Sequence, residues 1–235
     1  MFGARLFGLT TLTSIAARAI RRRTRQAATT QNYNVLVLGC GITGAATYRE
    51  LSKLRPDWSI TLWDKAREAG GRMNTSRTRR VPGAQADLGA QYISVHSDRA
   101  QPDIYAELEA SGTIVPFPQK HISGDRYSKP SQKHFAAPDG ISAVVKHILQ
   151  PAAKSGSVAL SRRAVRVDRA SVPGGAGGSG VQWRVTDADG ECDTFDAIVA
   201  TMPIPQLLGA HPLGKMEWTG TRPHLMRALI LTVFN

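Results

Sequence analysis

Cysteine is scarce in this 235-residue sequence: Cys40 and Cys192 stand alone, and neither belongs to a CxxC pair. That excludes a disulfide framework and fits a reducing compartment. No run of eighteen apolar residues occurs, so a single membrane-spanning helix is not expected. The six histidines (His96, His121, His134, His147, His211 and His224) show no metal-ligand spacing, so no metal is expected. No internal repeat, zinc-finger pattern or RNA-recognition pattern is present, and no basic stripe alternates with aromatics. A nucleic-acid partner is therefore not expected.

Acidic residues are missing from the start of the chain, the first being Glu50. Of the formal net charge of +12, half comes from Arg5, Arg18, Arg21, Arg22, Arg23 and Arg25 in residues 1–31. That segment is rich in Arg, Ser, Thr and Ala, the composition of an organelle transit peptide. A mitochondrial address is the expectation; plastid, secretory and cytoplasmic alternatives stay open, the last with a disordered basic tail. The remaining charge is interspersed and mildly basic, which suits an anionic small molecule.

From Tyr33 onward the pattern becomes strand, turn, helix, strand. "NVLVL" (34–38) is a continuous apolar run, as in a parallel strand buried on both faces. "TGAATYRELSKLR" places Ala46, Leu51 and Leu54 at helical spacing and stops before Pro56. "WSITLWD" (58–64) is a second strand. Further helices are predicted at "QPDIYAELEASG" and "APDGISAVVKHILQPA", the second with Asp139 at or near its start and His147 near its C-terminus. "SVALSRRAVRVDRA" and "VQWRVTDADG" read as two strands joined by the flexible loop "PGGAGGSG". "FDAIVATMPIPQLL" reads as a buried strand stopped by Pro203 and Pro205.

Gly39-x-Gly41-x-x-Gly44 leaves the first strand and opens the helix, the context in which this pattern binds a dinucleotide. Gly39 permits a tight turn, Gly41 lets backbone approach a pyrophosphate, and Gly44 allows close helix packing. The first helical amides attract phosphate oxygens, and Thr43 can add a hydroxyl. Asp64, about twenty residues on, can accept from ribose hydroxyls and disfavours a 2′-phosphate, although Lys65 and Arg67 temper that repulsion. FAD and NAD are both open at this point. Gly70-Gly71-Arg72 and "ADLGAQYIS" then follow directly, where a simple NAD domain would run into its next helix. Arg72 offers guanidinium donors to phosphate or flavin oxygens.

The stretches "VLVLGCGITG", "WDKAREAGGRMNT", "ADLGAQYIS", "FAAPDGISAVVKHIL" and "FDAIVATMPIPQLL" resemble the flavin-dependent amine oxidase superfamily, and within it the renalase-like branch. The resemblance covers about residues 33–208. It implies an α/β fold: a Rossmann-like FAD-binding domain of the GR2 amine-oxidase type with a partial α+β substrate domain. It implies a non-covalent FAD contacted by Gly39, Gly41, Ile42, Thr43 and Gly44, by Asp64 and Lys65, by Gly71 and Arg72, by Gln91 and Tyr92, and near adenine by Val165. The implied activity is oxidation of dihydronicotinamide isomers of NAD(P)H, with hydride transfer to flavin and reoxidation by O2 to hydrogen peroxide. Amines are the alternative substrate. The flavin carries the chemistry, so no catalytic side chain is assigned.

The expected organisation is a leader at 1–31, an FAD-binding domain at 32–95 and 133–205, a substrate-domain portion at 96–132, and the start of a truncated substrate domain at 206–235. A second glycine-aspartate flavin segment is absent from the sequence, so an FAD-binding fragment without turnover is a further alternative.

Overall fold

In the computed structural model, residues 32–96, 103–118, 132–171, 181–207, 217–219 and 229–230 are described. The leader expected at 1–31 and the glycine-rich loop lie outside them. Strand β1 (Asn34–Leu38) leads through the glycine turn into helix α1 (Ile42–Leu54), which returns to strand β2 (Ser59–Trp63). Val35, Leu36 and Val37 are fully buried. Each such aliphatic side chain contributes about 1.5–3 kcal/mol through burial, which explains why an unbroken apolar run sits in mid-sheet. Helix α1 stops at Leu54 because Pro56 forces Arg55 out of the helical region, to φ −141°. Ala45, Ala46 and Leu51 face inward, whereas Leu54 is exposed.

Two short strands, β3 (Thr75–Arg77) and β4 (Gln85–Asp87), form an antiparallel hairpin. Strand β5 (Ile93–His96), helix α2 (Asp103–Ala110), strand β6 (Val115–Pro116) and strand β7 (Gln132–Ala136) follow, and the three strands pair in the order β5-β7-β6. Helix α3 (Ser142–Lys154) and strand β8 (Val158–Ala159) precede strands β9 (Ala164–Ser171), β10 (Val181–Asp187) and β11 (Cys192–Phe195). Strand β12 (Ala197–Ala200), helix α4 (Ile204–Leu207), strand β13 (Glu217–Thr219) and strand β14 (Leu229–Ile230) complete the elements.

The main sheet runs β14-β12-β1-β2-β8, with every pairing parallel. β1 therefore lies between β12 and β2, where neither edge nor face meets water. One face of the sheet (Val35, Val37, Ile60, Leu62) packs on α1 and α3 through Ala45, Leu51, Val145, Ile148 and Leu149. Ile104, Leu108 and Ile114, from α2 and the loop after it, join the same cluster. The other face (Leu36, Leu38, Trp63, Ile198) packs on a second sheet of order β11-β10-β9-β13 through Val167, Trp183, Val185 and Phe195. Alternate residues of β1 thus enter different cores, as strand geometry requires. The N-terminal part is a Rossmann-like parallel sheet, followed by a mixed α+β region.

Two expectations need correction. Asp139 does not cap α3. The amide of Ile141 donates to Asp87 Oδ1 at 2.9 Å and that of Ser142 to Thr75 Oγ1 at 3.0 Å, so the hairpin β3–β4 supplies the acceptors. Gly140, at φ +80°, lets the chain pass so close to Thr75 that a Cβ there would sit 2.3 Å from its methyl carbon. His147 lies mid-helix rather than near a C-terminus, bonded to Glu107 and Thr113 of the α2 region. Its role is to join two helices. No helix among the described residues is long and apolar enough to cross a membrane.

Candidate cofactor site

At the C-terminal ends of β1, β2 and β12 the two layers part around a cavity of about 410 Å³. Small-molecule sites span about 300–1,000 Å³, and the mouth of a parallel sheet is where ligands bind in open α/β folds. Its wall draws on the glycine turn, the loop after β2, Gly71-Arg72 and the entry to β9, and is closed by Thr201–Pro203 and Gln206.

The glycine turn is built by contacts that exclude side chains. Gly39 has φ +108°, and a Cβ there would lie 2.6 Å from Thr201 Oγ1. Thr201 in turn donates through that hydroxyl to the carbonyl of Leu38 at 2.8 Å. A Cβ on Gly44 would lie 1.8 Å from the carbonyl oxygen of Gly39, so the helix rests directly on the turn. Gly41 differs. Its backbone is extended, at φ −82° and ψ −176°, and a Cβ there would meet nothing closer than Gly71 Cα at 3.8 Å. The protein's own packing does not demand glycine at this position, which lines the cavity.

Helix α1 opens toward that cavity without a side-chain cap and without an acidic residue in its first turn. The amides of Ile42 and Thr43 are among those that helix geometry leaves without an intrahelical acceptor, and both residues line the wall. With the helix dipole behind them they favour an anion.

Asp64 sits at the end of β2 and is held from both sides. Its Oδ2 accepts from the amide of Cys40 at 2.6 Å and its Oδ1 from the amide of Ala66 at 2.8 Å. Each oxygen keeps lone-pair capacity for a hydroxyl from the cavity. Burial, with the nearby Asp64 charge as a lesser cause, pushes the Cys40 thiol up to about 12, so it stays protonated and packs as a small apolar group.

The second glycine pair lies against the first turn. The amide of Gly70 donates to the carbonyl of Cys40 at 3.0 Å, and a Cβ on Gly71 would lie 3.2 Å from Gly41 Cα. The backbone of Arg72 is fixed by Ala90, whose amide donates to its carbonyl at 3.1 Å. Gly89 makes that approach possible, since a Cβ there would lie 2.1 Å from the same oxygen. "GGR" and "ADLGA" are thereby one structural unit that sets the Arg72 side chain in the cavity wall.

The structure brings Gly39, Gly41, Ile42, Thr43, Asp64, Lys65, Gly71 and Arg72 to one wall. Gly44 lies beneath it. Gln91 and Tyr92 are not on the wall: they lead into β5, and Tyr92 packs on Phe117 and edge-on to His134. Val165 is also off the wall. Its neighbour Ala164 lines the cavity, and consecutive strand residues face opposite sides.

Sequence reasoning missed Trp63, Arg162 and Arg163. Arg162 lies over the Trp63 ring, 3.6 Å from its centroid, with Nε 2.7 Å from Asp187 Oδ2 and Nη1 2.8 Å from Asp193 Oδ2. Burial works against its charge, but the hydrogen bonds to Asp187 and Asp193 raise its pKa on balance. The converse holds for Asp187, where burial opposes ionisation and Arg162, with the amides of Glu191 and Asp189, outweighs it. Only the doubled arginine before a strand signalled these residues. Ser161 precedes them at φ +58°, a left-handed conformation unusual outside glycine. The amides of Ser161 and Arg162 donate to the carbonyls of Ala66 and Asp64, both at 2.8 Å, which seats Arg162 beside the acid.

The chemistry of the wall fits an adenine dinucleotide: exposed helical amides with Arg72 and Lys65 for a pyrophosphate, and a carboxylate for a ribose. Comparison with known proteins bears on which dinucleotide. Residues 37–108 match the family of NAD(P)-binding Rossmann-like domains, and residues 119–225 match flavin containing amine oxidoreductase. Renalase of Mus musculus is 35% identical over 178 residues, covering 74% of this chain and 48% of the mouse protein. The chain is related to the flavin-containing amine oxidoreductases. Among these relatives, protoporphyrinogen oxidase of Saccharomyces cerevisiae is 30% identical over 125 residues, covering 51% of this chain and 23% of the yeast protein. The chain therefore spans about half the length of the renalase it matches. An amine-oxidoreductase segment following a Rossmann-like one is the architecture of an FAD-binding domain, consistent with FAD as the cofactor. Cys40 and Cys192 are both free thiols, the second exposed.

Proposed function

We propose that this chain holds FAD with its adenosine end at Asp64 and its pyrophosphate over the amides of Ile42 and Thr43, and serves a flavin-dependent oxidoreductase acting on a dihydronicotinamide. The observation that supports this most is the convergence of the glycine turn, Asp64 and Gly71-Arg72 on one cavity wall. Bound there, FAD would supply the two-electron acceptor for hydride from a dihydronicotinamide, with O2 and a solvent proton as the reoxidising pair that gives hydrogen peroxide.

The chain's own residues bind and orient. Asp64 accepts from ribose hydroxyls and, through the Cys40 amide, keeps the glycine turn in register with β2. Arg72 and Lys65 add positive charge beside the pyrophosphate path, Lys65 being tethered to Gln206 at 3.1 Å. Thr201, just past β12, holds the turn at the end of β1 through its hydroxyl.

The test begins with the absorption spectrum of the full chain purified and reconstituted with FAD, where bound oxidised flavin is expected. Anaerobic addition of dihydronicotinamide isomers of NAD(P)H is then expected to bleach the flavin bands, and admission of O2 to restore them with peroxide release. Retained flavin that no dihydronicotinamide bleaches would overturn the substrate assignment and leave cofactor binding standing. The match to flavin containing amine oxidoreductase favours amines as the second reading, and peroxide from an amine panel would support it instead.

A further inference from the structure

Arg162 occupies the cofactor cavity in a manner unsuited to an anion ligand. Its charge faces two carboxylates, Asp187 and Asp193, with two of its three guanidinium nitrogens within 2.8 Å of them. The local sum of the three groups is one negative charge, not one positive. Asp187 is buried at 4% exposure and is itself fixed by amides of Asp189 and Glu191, both at 3.0 Å. These bonds belong to the turn between β10 and β11, so the second sheet dictates where the guanidinium lies.

Behind Arg162 is Trp63, whose ring is buried and braced edge-on by Phe195 at 5.7 Å. The guanidinium side chain keeps 24% of its surface exposed, whereas Trp63 keeps 1%. Arg162 is therefore the outer layer of the stack, and both residues belong to the cavity wall. A planar cation backed by an indole and held in plane by two carboxylates presents a flat face, not a fork of donors. Flat π-systems stack on such a face.

Position narrows the ligand group. The amide of Arg162 donates to the carbonyl of Asp64, so the stack lies next to the ribose acid. Resting on the FAD reading above, we infer that the Trp63–Arg162 stack is the platform for the adenine ring and sets the preference for a neutral aromatic base at that end of the cavity. Arg162 is on this account a base-recognition residue. Arg72 and Lys65 answer to phosphate.

The experiment measures dissociation constants for ADP and for inorganic pyrophosphate, in the unaltered chain and in Arg162→Lys. Lysine keeps the charge between Asp187 and Asp193 and removes the plane. Losing the stacking face is expected to weaken ADP about tenfold in Arg162→Lys, while leaving pyrophosphate within twofold. Equal losses for both ligands would make Arg162 a phosphate contact and overturn the inference, as would no loss for either. Failure of the unaltered chain to bind ADP at all would overturn the FAD reading together with this one. Should Arg162→Lys fail to fold, as thermal melting would reveal, the unaltered chain still decides: stacked adenine loses absorbance near its band maximum, and bound ADP without such hypochromism would sink the platform.

Discussion

Gly41 and Gly44 lie in one motif but answer to different masters. Gly44 has no room for a methyl group, because the carbonyl of Gly39 occupies its place 1.8 Å away. Gly41 has room and an ordinary backbone conformation, so only an occupant of the cavity gives its missing side chain a purpose. Gly44→Ala is expected to cost about 3 kcal/mol of folding stability through overpacking against backbone, with cofactor binding lost as a consequence. Gly41→Ala is expected to change stability by at most about 1 kcal/mol, the order of an N-cap substitution, yet to weaken FAD at least about tenfold, because the methyl would stand over the helix amides. Urea denaturation without cofactor and flavin fluorescence titration separate the two. If Gly41→Ala lowered stability as much as Gly44→Ala and left affinity intact, the assignment of the cavity would be wrong.

Between elements, the least visible device is the junction of the β3–β4 hairpin with α3. Asp87 Oδ1 accepts from the Thr75 hydroxyl at 2.6 Å and from the amide of Ile141, while Thr75 Oγ1 accepts from the amide of Ser142. Thr75 and Ser142 are both buried, so the pair does the work of a helix cap without belonging to the helix. Removing one partner strands the others, and an unsatisfied buried donor costs about 1–3 kcal/mol. Thr75→Val keeps the shape and deletes the hydroxyl. It is expected to lower stability by about 2 kcal/mol, read by chemical denaturation, with Thr75→Ser recovering most of the loss. A Thr75→Val protein as stable as the parent would show that the helix start does not depend on the hairpin. The same junction shows what a sequence can reveal at this scale. Helix α3 was legible in "APDGISAVVKHILQPA", with Asp139 at or near its start. Its real acceptors lie far off in the chain, and no spacing rule couples a hairpin carboxylate to a later helix.

At the scale of the molecule, legibility follows sequence distance. The β1–α1–β2 unit and its glycine turn could be read directly because their pattern follows the 3.6 and 2.0 periodicities, although the brace from Thr201 could not. "GGR" and "ADLGA" could be read as motifs, though not their interlock through Gly89 and the Arg72 carbonyl. The Trp63–Arg162 stack, with its two carboxylates from the β10–β11 hairpin, was hidden because it joins residues from both sheets. That hidden contact has a consequence for coupling. The parallel sheet and the β9–β11 sheet share one apolar interface, and at its open end they share the cavity wall. That wall is shared by the α1 turn from one layer and the Arg162–Ala164 segment from the other, so a ligand seated there would touch both. Binding to the native state alone stabilises by RT ln(1 + [L]/Kd), about 2.7 kcal/mol at a hundredfold excess over Kd. Saturating ADP is therefore expected to raise the melting temperature of the full chain and to slow amide exchange in both places together: at the turn that carries Ile42 and Thr43, and at Ser161 and Arg162, whose amides bond the Asp64 loop. Hydrogen-exchange mass spectrometry resolves the two segments. Protection confined to the glycine turn, with Ser161–Ala164 exchanging as before, would mean that the ligand rests on the first layer alone and that the second sheet takes no part in holding the cofactor.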